Sequence, residues 1–425
     1  MKKILIIYPH FPPSNLVGVH RIRLFAQHLP SFDWEPVILT VHEDYYEENK
    51  DYDLVKLLPP QLRIVKANAF SITKPRLIGD IGLRAFWQLY QKGKQLLQNE
   101  KFDFLLCSIP SFYCALLGRL LHSTTGIRYG IDYQDPWVHK FPGSNKFFSR
   151  HWLSTNIAKI LEPVAIKNTS LITGIAESYY NAVIKRNPGL QKIITGAMPM
   201  GGEMKDYEIL ASLQMKPYLF KKKLNKFLFV YAGAMLPKAY LPLEKIFQAI
   251  VANKNAYEQV EFHFIGTGKK PNDSTCFSIK PLAEKFGLYN SIVFEYPARI
   301  PYLDVLVHLN IADGVFILGS TEPHYTPSKV YQAILAAKPI LAVLHQESSA
   351  VKNIEDSHAG MVLSYNGESN VTRINEYFTN VCISFFEFSK SYNNSQIDNN
   401  LFQEFSAYAV TKKLAILLDK TMDFK

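Results

Sequence analysis

Lys3-Ile4-Leu5-Ile6-Ile7-Tyr8 is an unbroken apolar, β-branched run, and the same signature returns far downstream as Phe227-Leu228-Phe229-Val230-Tyr231. A strand that is apolar on both faces belongs in the middle of a parallel sheet covered by helices on either side. Each run opens a series in which strand and helix patterns alternate. Together they predict two successive doubly wound α/β domains.

Outward from the first run, the loop Pro9 to Gly18 leads to helical spacing over Val19 to Leu29 and a strand at Trp34 to Thr40. The alternation continues through Arg63 to Val65, a helix from about Asp80 to Asn99, strands at Phe102 to Ser108 and Tyr129 to Asp132, and a helix around Ser154 to Lys167. A strand at Leu171 to Thr173 and a helix at Ser178 to Lys185 follow. The second series places strands at Val260 to Ile265, Ile292 to Phe294, Gly314 to Leu318 and Pro339 to Leu344, with helices between them. The polar, lysine-rich stretch 202–225 reads as a linker. The domains are therefore expected at 1–201 and 226–400, with a last apolar helix at 401–425.

At 425 residues, 48% apolar and 20% charged, the chain has a globular balance and too much length for one ordinary core. The net charge of +10 favours an anionic partner: nucleic acid, a nucleotide sugar or an acidic membrane. Neither an RNA-binding signature nor zinc-finger spacing is present, so nucleic acid is not expected. Met1-Lys2-Lys3 is followed by only a short apolar run before Pro9, which argues against a signal peptide and for a cytoplasmic location. Cys107, Cys114, Cys276 and Cys382 form no CxxC pair and no zinc spacing; they are expected to be reduced and buried, with no metal site.

In open α/β sheets ligands bind beyond the carboxyl ends of the strands, so four loops carry the functional reading. In Tyr231-Ala232-Gly233-Ala234-Met235-Leu236-Pro237-Lys238, Gly233 admits a ligand close to the backbone and Lys238 reaches a phosphate; a glycine turn with a surface lysine reads as well. Gly266 and Gly268 end a buried strand but lack the third glycine of a dinucleotide fingerprint. In Gly319 to Gln332, Thr326 is a good N-cap and Pro327 a good first helical residue, predicting a helix whose free N–H groups, with the charge of Lys329, would meet a diphosphate; an ordinary capped helix reads as well. Finally, Asp132-Tyr133-Gln134-Asp135-Pro136-Trp137 offers a carboxylate and an aromatic ring for a sugar, or a turn with Trp137 in the core.

These segments, with Tyr8-Pro9-His10-Phe11-Pro12-Pro13, Gly18-Val19-His20-Arg21 and the block Pro327 to Leu341, resemble retaining GT-B glycosyltransferases of family four, of the bacterial surface-polysaccharide type. The resemblance implies two Rossmann-like domains facing a cleft, with the C-terminal helix returning to the N-terminal domain. It implies transfer of a sugar from a UDP- or GDP-sugar to a carbohydrate or lipid-linked hydroxyl acceptor, without a metal or other cofactor. Lys238 and Asp135 would serve the reaction itself. Gly18, Gly233, Gly266, Gly268, Arg299, Thr326, Ser328, Lys329 and Gln332 would hold the donor, and His10, Arg21 and Trp137 would contact acceptor or sugar. The sequence departs from the family at Gln332, where a glutamate usually accepts from the ribose, and at Ala234, where many relatives carry arginine. A donor-binding subunit of a polysaccharide-assembly complex and a nucleotide-sugar epimerase are the competing readings.

The helix expected at Asp80 to Asn99 mixes Arg84, Lys92 and Lys94 with Phe86, Trp87 and Tyr90. That composition suits peripheral docking on an anionic membrane, or packing of its aromatics against the first sheet.

Overall fold

The computed structural model describes residues 1–73, 78–138, 146–190, 193–270, 272–322, 329–398 and 400–423. It divides into two compact units, Met1–Gly201 with Ala407–Lys425, and Gly202–Ser406.

The first unit holds a parallel sheet of β1 (Lys2–Ile7), β2 (Trp34–Val41), β3 (Arg63–Ala67), β4 (Phe104–Ile109), β5 (Tyr129–Tyr133), β6 (Leu171–Gly174) and β7 (Ile194–Ala197). Their order is β3-β2-β1-β4-β5-β6-β7, so the winding reverses between β1 and β4. Ile4 to Ile7 are wholly buried, as expected of a central strand with helices over both faces. The last helix, Ala407–Asp423, lies against the first, Gly18–His28, and buries Leu414 and Leu418. Trp34 Nε1 donates to Asp419 at 2.9 Å and fixes that helix near its end.

An ion pair lies inside this unit. Arg21 Nε and Nη2 donate to the two oxygens of Asp132 at 2.7 and 2.8 Å, and Nη1 donates to the carbonyls of Met198 and Pro199 at 2.9 and 3.0 Å. Ser108 and Thr173 donate to the same carboxylate at 3.0 and 2.8 Å. Burial alone would raise the Asp132 carboxyl, but Arg21 and the two hydroxyls outweigh it and hold it below its ordinary value.

The second unit repeats the plan with β8 (Phe227–Ala232), β9 (Val260–Ile265), β10 (Val293–Tyr296), β11 (Gly314–Leu318), β12 (Ile340–His345) and β13 (Gly360–Tyr365), in the order β10-β9-β8-β11-β12-β13. Its core is built on phenylalanine. Phe229 stacks on Phe262 at 4.8 Å between ring centroids, and the long helix Thr372–Ser391 closes that face with Phe378 and Phe385.

Three features differ from the sequence reading. The stretch 202–225 carries a helix, Met204–Leu213, that buries Asp206 and Leu210; Tyr302 donates to Asp206 at 3.0 Å, a tertiary partner that local polarity conceals. The helix expected across Asp80 to Asn99 breaks at Ala85 into Ile81–Arg84 and Phe86–Asn99, with Asp80 capping the first piece through Leu83 N–H at 2.8 Å. The short edge strands β7 and β13 had no expected counterpart.

Removing Arg21 as Arg21→Met leaves a buried carboxylate without its counter-ion, a loss of about 3–5 kcal/mol in chemical denaturation. The carboxylate's folded value is depressed, so its contribution is present above about pH 4 and is lost as acid protonates it. The difference between wild type and variant is therefore expected to shrink in acid.

Candidate active site

At the carboxyl edge of the second sheet, successive strands end in glycine. Gly233, after β8, takes φ 120° and donates its N–H to the Ile265 carbonyl at 2.8 Å; Gly266, after β9, takes φ 71° and donates to the Tyr296 carbonyl at 2.8 Å. Both angles lie where a side chain is disfavoured. A Cβ on Gly266 would stand 3.9 Å from Arg299 Cα and 4.0 Å from Gly233 Cα, so these three residues share one neighbourhood. Gly268 is held differently: a Cβ there would meet the carbonyls of Pro297 and Cys276 at 2.7 and 2.9 Å, which makes it a packing requirement.

Lys329 closes the group. A Cβ on Gly233 would strike its Cε at 2.7 Å. The Lys329 ammonium bonds the Tyr231 hydroxyl, lies 3.7 Å from the centre of the Tyr231 ring and reaches the Ala234 carbonyl at 3.5 Å. Among the described residues it has no carboxylate partner, and desolvation pushes it down to about 7. A cation held on a ring face with no counter-ion is poised for an incoming anion.

Lys238 sits in the short turn Pro237–Ala239 and pairs with Glu322 at 3.1 Å, both side chains being exposed. Its carbonyl accepts from Thr321 N–H at 3.2 Å, which ties the loop after β8 to the loop after β11 across the point where the winding reverses. Thr326, Pro327 and Ser328 lie outside the described residues; the adjoining helix is described over Lys329–Leu335. On it, Gln332 Oε1 is buried and has no hydrogen-bond partner among the described residues, while the Gln332 backbone carbonyl accepts from Tyr207 at 3.2 Å.

Two residues of this edge escaped the sequence reading. Tyr231 is the platform for Lys329, and nothing in its run of apolar neighbours announces that. Glu295, an acid inside the apolar strand β10, was the more legible signal. It is buried and accepts from Thr267 Oγ1 at 2.8 Å and from the N–H groups of Ile279 and Lys280 at 2.9 and 2.7 Å, pinning the start of helix Lys280–Lys285 beside the Gly266 loop.

At the carboxyl edge of the first sheet the expected residues separate into two kinds. Arg21 is 1% exposed and commits four of its five N–H donors as described above, so it ties helix to sheet and is buried away from a sugar. Trp137 is buried and stacks on Phe112 at 5.7 Å with ring planes 4° apart, the core alternative of the sequence reading. Gly18 is required by packing, since a Cβ would lie 2.2 Å from the Tyr8 hydroxyl.

His10 and Asp135 remain on the chemical side. His10 Nδ1 meets Glu48 at 2.7 Å, and the Ser14 hydroxyl donates to the same oxygen. Burial would raise Glu48, but those hydrogen bonds outweigh it and the net shift is downward, leaving a carboxylate that orients the imidazole. Asp135 is exposed, and its charge adds to burial in raising the Tyr8 hydroxyl. Burial also raises Asp80, which accepts from Ser111 at 3.2 Å and feels the charge of His10.

No protein-family description matches the chain, and no curated protein matches it in sequence. Solved structures do. Sucrose-phosphate synthase from Thermosynechococcus elongatus is similar with a TM-score of 0.64 at 12% identity over 100% of both chains. A glycosyltransferase from Rickettsia africae ESF-5 gives 0.62 at 13% over 100% of this chain and 99% of that one. Anabaena Alr3699/HepE, solved with UDP-glucose, gives 0.60 at 15% over 99% of this chain and 100% of that one. The chain has the GT-B fold. At these identities the likeness is one of fold, and the chemistry must be read from this chain's own side chains.

In this GT-B chain the desolvated lysine has a measurable signature. Only the ammonium form attracts a phosphate anion, so Lys329 should favour inorganic pyrophosphate below about pH 7 and withdraw that support as pH rises through it. Calorimetry in buffers of differing ionisation heat is expected to show proton uptake on pyrophosphate binding near pH 8. Lys329→Met should bind about tenfold or more weakly at pH 6 and lose that uptake.

Proposed function

We propose that the chain is a glycosyltransferase that takes a sugar from a UDP- or GDP-linked donor held at the carboxyl edge of its second sheet and passes it to a hydroxyl acceptor with retention. The observation that carries this is the meeting of Gly233, Gly266, Arg299 and Lys329 at one sheet edge, with Lys238 on the adjoining loop. The two glycine turns keep side chains off the backbone where a diphosphate would approach, and the cations supply charge opposite that which grows on it as the glycosidic bond breaks. Lys238 exchanges Glu322 for phosphate, and Lys329 gains the counter-ion it lacks among the described residues. These side chains supply the charge stabilisation that a bound metal gives in other transferases, so the reaction is assigned to the metal-independent kind.

The unpaired Gln332 Oε1 suits a donated ribose hydroxyl. It accepts without a negative charge, so the bond is weaker than a carboxylate would make. In the first unit, His10, oriented by Glu48, and the exposed Asp135 are assigned to the acceptor or transferred sugar. Arg21, Trp137 and Gly18 are assigned to the scaffold. HepE was solved with UDP-glucose and with UDP and glucose, which favours a UDP-sugar first. Cytoplasmic assembly of a cell-surface polysaccharide or glycolipid is the setting inferred from the motifs that resemble family four.

A thermal-shift screen over UDP, GDP and their sugars tests the donor site, since ligand at about a hundredfold its Kd stabilises by about 2.7 kcal/mol. Stabilisation by none of them overturns the proposal. Lys238→Ala, at an exposed position, should leave the melting temperature unchanged and lower kcat/KM for donor about a hundredfold. Donor binding without transfer across an acceptor panel would instead make the chain a binding subunit, and epimerised sugar formed without acceptor would make it an epimerase.

A further inference from the structure

The helix Arg150–Ile166 is built the wrong way round for a protein in water. Toward the protein it turns Thr155, Ala158, Glu162 and Ala165, with Ile166 buried at its end and Leu161 partly buried. Toward solvent it turns Leu153, Ile157, Ile160 and Val164, with Ile160 70% exposed. On an ideal helix those four fall within about 60° of one another, opposite the buried face. Four large aliphatic side chains thus form a continuous outward stripe.

The stripe continues into the segment before the helix. Phe147 and Phe148 are exposed, Phe148 at 84%, and with Trp152 they form a cluster with ring centroids 4.9 to 5.5 Å apart. Phe148 takes φ 59°, a left-handed conformation that costs a bulky residue energy and that holds its ring outward. Ser149 caps the helix by accepting from Trp152 N–H at 3.0 Å, so the aromatic cluster and the stripe form one ordered surface.

The exposed charges that this segment itself carries have one sign. Lys146, Lys159 and Lys167 are exposed along this segment. The helix's only acid, Glu162, points inward and is satisfied by Arg186 through bonds of 2.9 and 2.8 Å. We propose that this face docks on an anionic lipid bilayer, with the stripe and the aromatic cluster entering the acyl boundary and the lysines meeting the headgroup phosphates. A second copy fits less well, because a two-fold contact would set the same lysines against each other with no exposed carboxylate on the helix between them.

The surface differs from the one suggested by sequence. In helix Phe86–Asn99 the residues Leu89, Tyr90, Leu96 and Leu97 are buried on the first sheet, and of its large aromatics Trp87 is the exposed one. Among the described residues no helix is long and apolar enough to cross a membrane, so contact through this face would be peripheral.

Sedimentation of the full chain with vesicles tests the proposal, and because it reads binding alone its failure leaves the donor site untouched. Wild type is expected to sediment with phosphatidylcholine vesicles containing phosphatidylglycerol and far less with phosphatidylcholine alone. The double variant Leu153→Asp, Ile160→Asp should partition at least about tenfold less while keeping its melting temperature. Lys159→Glu with Lys167→Glu should weaken binding at low salt and matter little at high salt. Equal sedimentation of wild type and the Leu153/Ile160 variant, absence of binding to both vesicles, or loss on Trp87→Ser instead would overturn it. So would a wild-type dimer that the aspartates convert to monomer, since the stripe would then belong to a second copy.

Discussion

A central parallel strand satisfies its backbone only when neighbours flank it, and it is buried only when both its faces are covered; that requirement organises both units. It forces each connection to cross over through a helix, and it makes the winding reverse beside the first strand of each sheet, between β1 and β4 and between β8 and β11. At such a reversal the loops on either side run in opposite directions and leave a gap at the carboxyl edge. Two glycines with positive φ stand there, Gly233 and Gly266, with Lys329 against the first, Arg299 near the second and Lys238 on the adjoining loop. The place proposed for the chemistry is thus a consequence of strand order.

The strands that decide this order were legible because they are buried on both faces, which writes an apolar run with no periodicity to misread. Ile4 to Ile7 and Phe227 to Tyr231 are such runs. What the sequence concealed depended on partners distant in the chain. The helix Met204–Leu213 is polar enough to pass for a linker, and its burial rests on Asp206 meeting Tyr302. The four-residue strand β7 is short and lies at the sheet edge, where one neighbour suffices and the apolar signal fades.

The site was legible in part, and the division follows burial. Loop glycines and the lysine after them can be read from spacing, because the backbone geometry they permit is local. Whether an arginine or a tryptophan near a loop points to ligand or to core cannot be read that way. Arg21 and Trp137 carry chemistry suited to a sugar, yet Asp132 claims the first and Phe112 the second. His10 escaped that fate because its carboxylate partner, Glu48, engages only Nδ1. Among the described residues the second imidazole nitrogen has no hydrogen-bond partner.

Lys238 and Lys329 show how one formal charge can be kept in two states. Lys238 stands in water with Glu322, a pairing that is weak because solvent screens it and therefore easy to exchange. Lys329 has been taken out of water onto the Tyr231 ring, where the ammonium is costly enough to lie near neutrality's edge. An arriving diphosphate would relieve that cost, while at Lys238 it would only replace one anion by another. The larger differential interaction therefore belongs to the desolvated lysine, and differential interaction is what a site can convert into selectivity for a charged ligand over water. Ala234, where an arginine would have brought a further cation beside these, is consistent with that division: another strong charge against Lys329 would push its ammonium further from protonation and blunt its response to phosphate.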